Sequence, residues 1–253
     1  MPQLGVISSR TRSHRRLPIA FVALLMVVGA CSSCSGSADE ESSRLTTDPV
    51  ALQTASAAAM GEVTSVRFTL SRSGDPVFID QLKTTSLKSL EGRFSAPASA
   101  EAVLKVEVGG ILNTEIGAVA IAEEIWLSNP LTGEFETLPP GFDIDPSSFF
   151  DPKGAWEPLL TDLTDVEFVG EEQRDGAPMY HVRGLAPEAR MQAVTAGLVR
   201  GSDIRIDLWL DPETALVSSL EFEAELGEGS SSWVLGFSDY GESFVVTDPT
   251  VEE

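Results

Sequence analysis

Cysteine is almost missing from this chain: its 253 residues hold two, Cys31 and Cys34. Both lie near one end, so no disulfide can staple a domain, and the fold must be held by buried apolar surface. Histidine is equally scarce. His14 lies in the N-terminal segment, and His181 alternates with Tyr180 and Val182 in a strand-like stretch. One histidine gives a zinc centre no second imidazole, and any serine–histidine dyad would rest on His181 alone. There is no G-x-S-x-G and no phosphate loop, and Gly227-Glu228-Gly229 lacks the third glycine of a dinucleotide fingerprint. Basic residues are few, 17 against 39 acids, for a net charge of −22. Such a surface repels nucleic acid and anionic headgroups, so no nucleic-acid partner is expected. Carboxylate pairs such as Glu123-Glu124 and Asp143/Asp145 arise by chance at this acid content; a hydrolase would need one set in a cleft. Asp143-Ile144-Asp145 lacks the glycine and final Glu of a calcium loop. No catalytic residue, metal or cofactor is expected, which favours binding or scaffolding over catalysis.

The scarce basic residues are unevenly placed. Arg10, Arg12, Arg15 and Arg16 precede the apolar run Leu17–Ala30 (LPIAFVALLMVVGA), which ends at Cys31. A basic flank, a short apolar core and small residues at the exit make a secretory signal. At 14 residues the run is shorter than the span of about 20 that a membrane helix needs. Val28-Gly29-Ala30-Cys31 looks like a bacterial lipobox, in which cleavage precedes the cysteine and a diacylglyceryl thioether anchors the new N-terminus at Cys31. An ordinary secretory signal with an incidental cysteine is the alternative; Cys34 fits worse, because Cys31 would then stand where a branched aliphatic belongs. Residues 1–30 are thus expected as signal peptide, 31–47 as a small, polar, acidic tether that cannot order itself, and 48–253 as one domain. Removing the signal takes four arginines and no acids, leaving a net charge of −26. No second apolar segment reaches spanning length, so the domain is expected on the extracytoplasmic face of the cell membrane, held by its lipid anchor.

Asp48-Pro49 is a helix start, with an N-cap acceptor and proline at the first position, and Val50–Met60 suits a helix stopped by Gly61. Alternation then predicts strands over 65–70, 77–82, 87–95, 101–108, 111–118, 120–127, 166–172, 179–185, 203–210, 216–225 and 231–240. Turns fall at Ser73–Pro76, Gly109-Gly110, Asn129–Gly133, Arg174–Gly176 and Asp211–Thr214, and Leu138–Pro146 reads as a loop. Trp156, Leu159, Leu160 and Leu163 recur at helical spacing over 152–163, and Met191, Val194 and Leu198 do so over 187–199. Roughly ten antiparallel strands with two or three helices give an α+β domain. Its sheet must curl through its twist and cover its apolar face with the helices.

Three stretches carry a resemblance: Ile125-Trp126-Leu127 leading into Asn129-Pro130-Leu131-Thr132-Gly133; Phe150-Asp151-Pro152-Lys153-Gly154 with Leu159-Leu160 after it; and Asp207-Leu208-Trp209-Leu210-Asp211-Pro212-Glu213-Thr214. With the lipobox and the order of elements, the chain from about Asp48 to Pro249 resembles the LppX/LprG-type lipoproteins of mycobacteria and their relatives. The acidity and the 138–146 loop depart from that pattern. The resemblance implies a half-barrel antiparallel sheet curled over helices, similar to the LolA and LolB carriers, with an apolar cavity. It implies an activity as well: binding acylated lipids or glycolipids and carrying them across the cell envelope without catalysis, with a membrane transporter as partner.

A carrier must keep acyl chains from water, at about 0.8 kcal/mol per buried CH₂. The faces able to line such a space are Val66/Phe68/Leu70, Leu104/Val106/Val108, Ile204/Ile206/Leu208/Leu210 and Leu220/Phe222, with Leu159 on the helix. Phe149, Phe150, Met179 and Met191 stand where loops or helices would frame a mouth, and Met adapts to varied ligands. The same faces serve a dry core equally well, so a non-carrier accessory or scaffold lipoprotein of an envelope complex is the second reading. The acidic surface adds that neutral or glycosylated cargo suits it better than cargo with a phosphate headgroup.

Overall fold

The computed structural model describes residues 44–122, 124–138, 141, 149–226 and 229–250. Cys31, the signal segment, the tether before Arg44 and most of the 138–146 loop, with Asp143 and Asp145, lie outside the described residues.

The first element is helix α1 (Pro49–Gly61). The Asp48 carboxylate accepts from the Ala51 N–H at 2.8 Å and proline fills the first turn, where no N–H is needed. The strands that follow are β1 (Ser65–Gly74), β2 (Val77–Phe78), β3 (Thr85–Ser95), β4 (Ser99–Val108), β5 (Leu112–Ile121), β6 (Glu124–Ser128) and β7 (Phe135–Thr137). Next come a π-helical turn (Pro152–Trp156), α2 (Glu157–Thr161), β8 (Thr164–Arg174), β9 (Ala177–Ala186), α3 (Glu188–Val194), β10 (Ile204–Leu210), β11 (Val217–Leu226) and β12 (Gly229–Ser238).

All strands join one antiparallel sheet in the order β7-β6-β5-β4-β3-β1-β12-β11-β10-β9-β8, with β2 beside β3. The chain thus meanders outward from β1 to one edge, crosses through the helical turn and α2, and meanders back until its last strand pairs with its first. Phe68 faces Phe237, and Leu70 faces Leu235. No ladder joins β7 to β8, so the sheet is open. Eleven strands at about 4.8 Å would span about 48 Å if flat. The longest helix, with 13 residues, is about 20 Å long, so three helices can cover this face only if the sheet curls around them. One continuous core joins the inner faces of β1, β3–β6 and β9–β12 to α1, the π-turn, α2 and α3.

Several expected boundaries move. The second strand stops at Phe78, because Asp80 turns the chain by accepting from the Thr84 and Thr85 N–H groups at 3.0 and 2.6 Å. The pair expected over 111–118 and 120–127 divides later, at Ala122, whose φ of 55° makes the turn. The helix expected over 152–163 opens as a π-turn. The Asp151 carbonyl accepts from both the Ala155 and Trp156 N–H at 3.0 Å, and its carboxylate accepts from Lys153 and Gly154 at 3.1 and 2.8 Å. A Cβ at Gly154 would stand 2.1 Å from that carboxylate, so the cap requires glycine. The helix expected over 187–199 ends at Val194, where Ala196 and Gly197 turn to positive φ, 51° and 73°. Twelve strands form where eleven ranges were expected, the added one being the three-residue β7.

Candidate functional site

The inner face of the sheet alternates as its sequence requires. Val66, Phe68 and Leu70 of β1 are buried, as are Leu104 and Val106 of β4, Ile204, Ile206, Leu208 and Leu210 of β10, and Leu220 and Phe222 of β11. Leu159 of α2 is buried against them, and Val108 packs half-buried at the edge of the same cluster. Gly92 of β3 is the gap into which Phe68 fits: a Cβ there would stand 2.7 Å from the Phe68 ring and 2.5 Å from the Glu101 carbonyl oxygen.

The residues expected to frame a mouth divide. Phe149, Phe150 and Met191 are fully buried within the core instead of standing at a rim. Phe150 lies at the centre of an aromatic group, with ring centroids 5.4 Å from Phe94, 5.8 Å from Trp156 and 5.6 Å from Phe237. Trp156 meets Phe237 edge-on at 4.7 Å and donates its indole N–H to the Phe149 carbonyl at 3.3 Å. The crossover from one sheet edge to the other is thus pinned to the sheet centre by its aromatic residues. Met179 lies apart from the core. It lines a depression of about 300 Å³ with Leu216, Val217, Phe237 and Tyr240, where the Tyr240 hydroxyl donates to the Val217 carbonyl at 2.6 Å.

Phe94, Trp156, Trp233 and Phe237 were not among the sequence candidates, although the periodicity of β12 already put Trp233 and Phe237 on one face. Trp233 stacks on Phe222 with ring centroids 5.6 Å apart, yet its buried indole nitrogen has no hydrogen-bond partner among the described residues. Arg72 was also missed. It continues the Val66/Phe68/Leu70 alternation and stands opposite Trp233. Its guanidinium donates to the Leu87 carbonyl at 2.9 Å, to Ser231 Oγ at 3.1 Å and to the Asp75 carbonyl. Burial lowers its pKa, partly opposed by the charge of Asp75.

The outer face is polar and ion-paired. His181 is nearly buried there, with Nδ1 2.8 Å from Glu172 Oε1 and Nε2 2.6 Å from Asp207 Oδ1, and it stacks on Trp209 at 4.6 Å. The Trp209 N–H, then His181, hold the Glu172 carboxyl below its ordinary value. Two carboxylates and an indole offer His181 no nucleophile to activate, and the cluster reads as a cross-strand brace. Depressions of about 450 and 560 Å³ also lie on this side. The first runs along Arg67, Arg93, Val103 and Phe135, and the second along Arg205, Asp207, Glu223 and Val234.

Residues 48–246 match the family model described as LppX_LprAFG lipoprotein. No curated protein sequence matches the chain. Among solved structures, LprF from Mycobacterium bovis is 14% identical, with 81% of this chain and 99% of its own aligned at a TM-score of 0.60. The Mycobacterium tuberculosis lipoprotein LppX is 19% identical, with 79% and 100% aligned at a TM-score of 0.55. A LolA superfamily protein from Nitrosomonas europaea aligns more loosely, 10% identical over 80% and 99%, at a TM-score of 0.30.

Proposed function

We propose, because this chain belongs to the LppX_LprAFG lipoprotein family, that it is an extracytoplasmic lipoprotein which carries acylated lipids or glycolipids across the cell envelope. It is held to the membrane through Cys31 and performs no covalent chemistry on its cargo. The observation that carries this reading is the inner face itself: an open sheet presents apolar side chains from strand after strand to a cover of short helical pieces. α1, the π-turn with α2, and α3 are separate segments. In the carrier reading they lift away from the sheet and acyl chains take the place of their apolar faces, so Val66, Phe68, Leu70, Leu104, Val106, Ile206, Leu208, Leu220 and Phe222 become the lining. Each methylene so buried contributes about 0.8 kcal/mol, which offsets the core contacts given up. A membrane transporter is the partner such a carrier serves.

One observation favours the second reading, a non-carrier accessory lipoprotein. The same inward side chains already meet the helices in one continuous buried cluster. Native mass spectrometry of protein purified from its own membrane separates the two. A carrier retains lipid adducts that denaturation removes; a filled core shows bare protein in both states, and that result would sink the carrier reading. Cys31→Ala tests the anchor: the variant is expected in the soluble fraction, and retention in the membrane would refute lipidation at that residue.

A further inference from the structure

We infer that the end of the sheet formed by the β2–β3 turn and the β4–β5 hairpin docks on an anionic lipid surface. It does so by inserting Leu82, Ile111 and Leu112 between the headgroups. These residues are 84%, 88% and 57% exposed, though large aliphatic side chains belong inside. Topology sets them side by side. Thr85 stands opposite Val108 in the β3–β4 ladder, and the Gly109 N–H donates to the Thr84 carbonyl at 2.8 Å, tying one turn to the other. Positive φ at Lys83, Gly109 and Gly110 (54°, 62° and 74°) makes both turns tight and projecting. The aliphatics therefore sit on the two turns themselves, exposed to solvent.

Charge selects the partner. The chain carries a net charge of −22, which opposes approach to an anionic bilayer. Three of its four lysines, Lys83, Lys88 and Lys105, are gathered at this end. Among the described residues, Lys88 pairs with Glu107 at 3.2 Å, while Lys83 and Lys105 have no carboxylate partner. Among the described residues, the acids on these two hairpins are Asp80, Glu107 and Glu115; Asp143 and Asp145 lie outside the described residues. The Asp80 carboxylate is turned inward onto the Thr84 and Thr85 N–H groups, and Glu107 is taken by Lys88. Among the described residues these two hairpins are thus electrically balanced, with two lysines free of carboxylates, on a chain whose net charge is −22. Projecting aliphatics ringed by free lysines match an interfacial lipid contact, where side chains enter the headgroup region to a depth of about 5–10 Å. This surface goes beyond the carrier reading and stands even if the interior never takes up lipid.

The test uses the full chain with Cys34→Ser and an environment-sensitive fluorophore at Ile111→Cys or Val245→Cys. Val245 is 79% exposed and follows β12 just after Gly241, whose N–H donates to the Ser65 carbonyl at the opposite end of the sheet. Any anchor or label at Cys31 is common to both proteins, so only the difference between them reports the tip. On vesicles of phosphatidylcholine with phosphatidylglycerol, the probe at 111 is expected to shift to the blue and to be quenched by lipid-borne quenchers, while the probe at 245 stays in water. Lys83→Gln and Lys105→Gln should each lower the inserted fraction about fivefold, the worth of one lysine beside an anionic surface. Leu82→Ser should lower it too, and being exposed leaves the fold intact. A probe at 111 as wet as that at 245 on these vesicles overturns the proposal, as does shielding seen only when envelope proteins are added. Lipid adducts without tip insertion would sink this proposal alone; insertion without adducts would sink only the carrier reading.

Discussion

Two tryptophans with the same burial make a controlled pair. Trp156 and Trp233 are 0% and 1% exposed, so replacing either by Phe removes similar bulk from the core. They differ in one hydrogen bond. The Trp156 N–H reaches the Phe149 carbonyl, whereas the Trp233 N–H has no partner among the described residues. Trp156→Phe strands a buried carbonyl; Trp233→Phe sheds an orphan donor. Trp156→Phe is expected to cost about 1–3 kcal/mol more than Trp233→Phe, read from urea midpoints at a common slope. Phe150, in contact with aromatic rings on both sheet and cover, sets the upper end: Phe150→Ala should cost about 3–5 kcal/mol. The alternation of β12 made Trp233 legible as an inward residue. Its missing partner was not legible, because a hydrogen bond depends on the strand opposite and the cover above.

At the scale of the element, the turns hold more of the design than the strands. Asp211 ends β10 by accepting from the Glu213 and Thr214 N–H groups at 2.9 and 2.8 Å and from the Thr214 hydroxyl at 2.9 Å. Burial pushes its carboxyl up, but these donors outweigh it and hold the group below its ordinary value. Asp80 is held low in the same way by Thr85 and Thr84. A carboxyl whose folded pKa is depressed adds stability above its unfolded value of about 3.9. That stability is lost as pH falls through the folded value. Chemical-denaturation midpoints should therefore be insensitive to these two groups near neutrality and fall below about pH 4. Asp211→Asn, which keeps an acceptor, should flatten that fall. Asp211→Ala should cost about 1 kcal/mol at neutral pH, as for a lost cap. Gly92→Ala should cost about 1–3 kcal/mol, since its methyl would collide with Phe68 and backbone.

These elements show what was readable and why. Turns written in Asp, Pro and Gly lie where their chemistry puts them. The errors cluster where residues lack such marks: Ala122 and Ala196 take left-handed backbone that alanine does not announce, and β7 is three residues long. The π-turn was invisible because Trp156 and Leu159 keep helical spacing while the backbone carbonyl of Asp151 takes two donors.

For the whole molecule, the inner face was legible from alternation and the pairing that builds it was not. Nothing in Val66–Leu70 says that its neighbour lies about 170 residues further on, and that pairing decides the sheet order. The charge has its own consequence. Self-repulsion in a strongly acidic domain is screened by salt, so the denaturation midpoint should rise when sodium chloride goes from low to physiological concentration. An unchanged midpoint would mean that the outer ion pairs, such as Arg174–Glu221 at 2.7 Å, already balance the excess locally.

The first strand and the last meet in the middle of the sheet. Contacts this distant in sequence form late and slowly. Until residues 229–238 are present, β1 lacks one of its two neighbours, and the halves of the sheet have no ladder between them. A chain passing lengthwise through a narrow pore would therefore lack the one ladder that joins its two half-sheets until residues 229–238 had emerged.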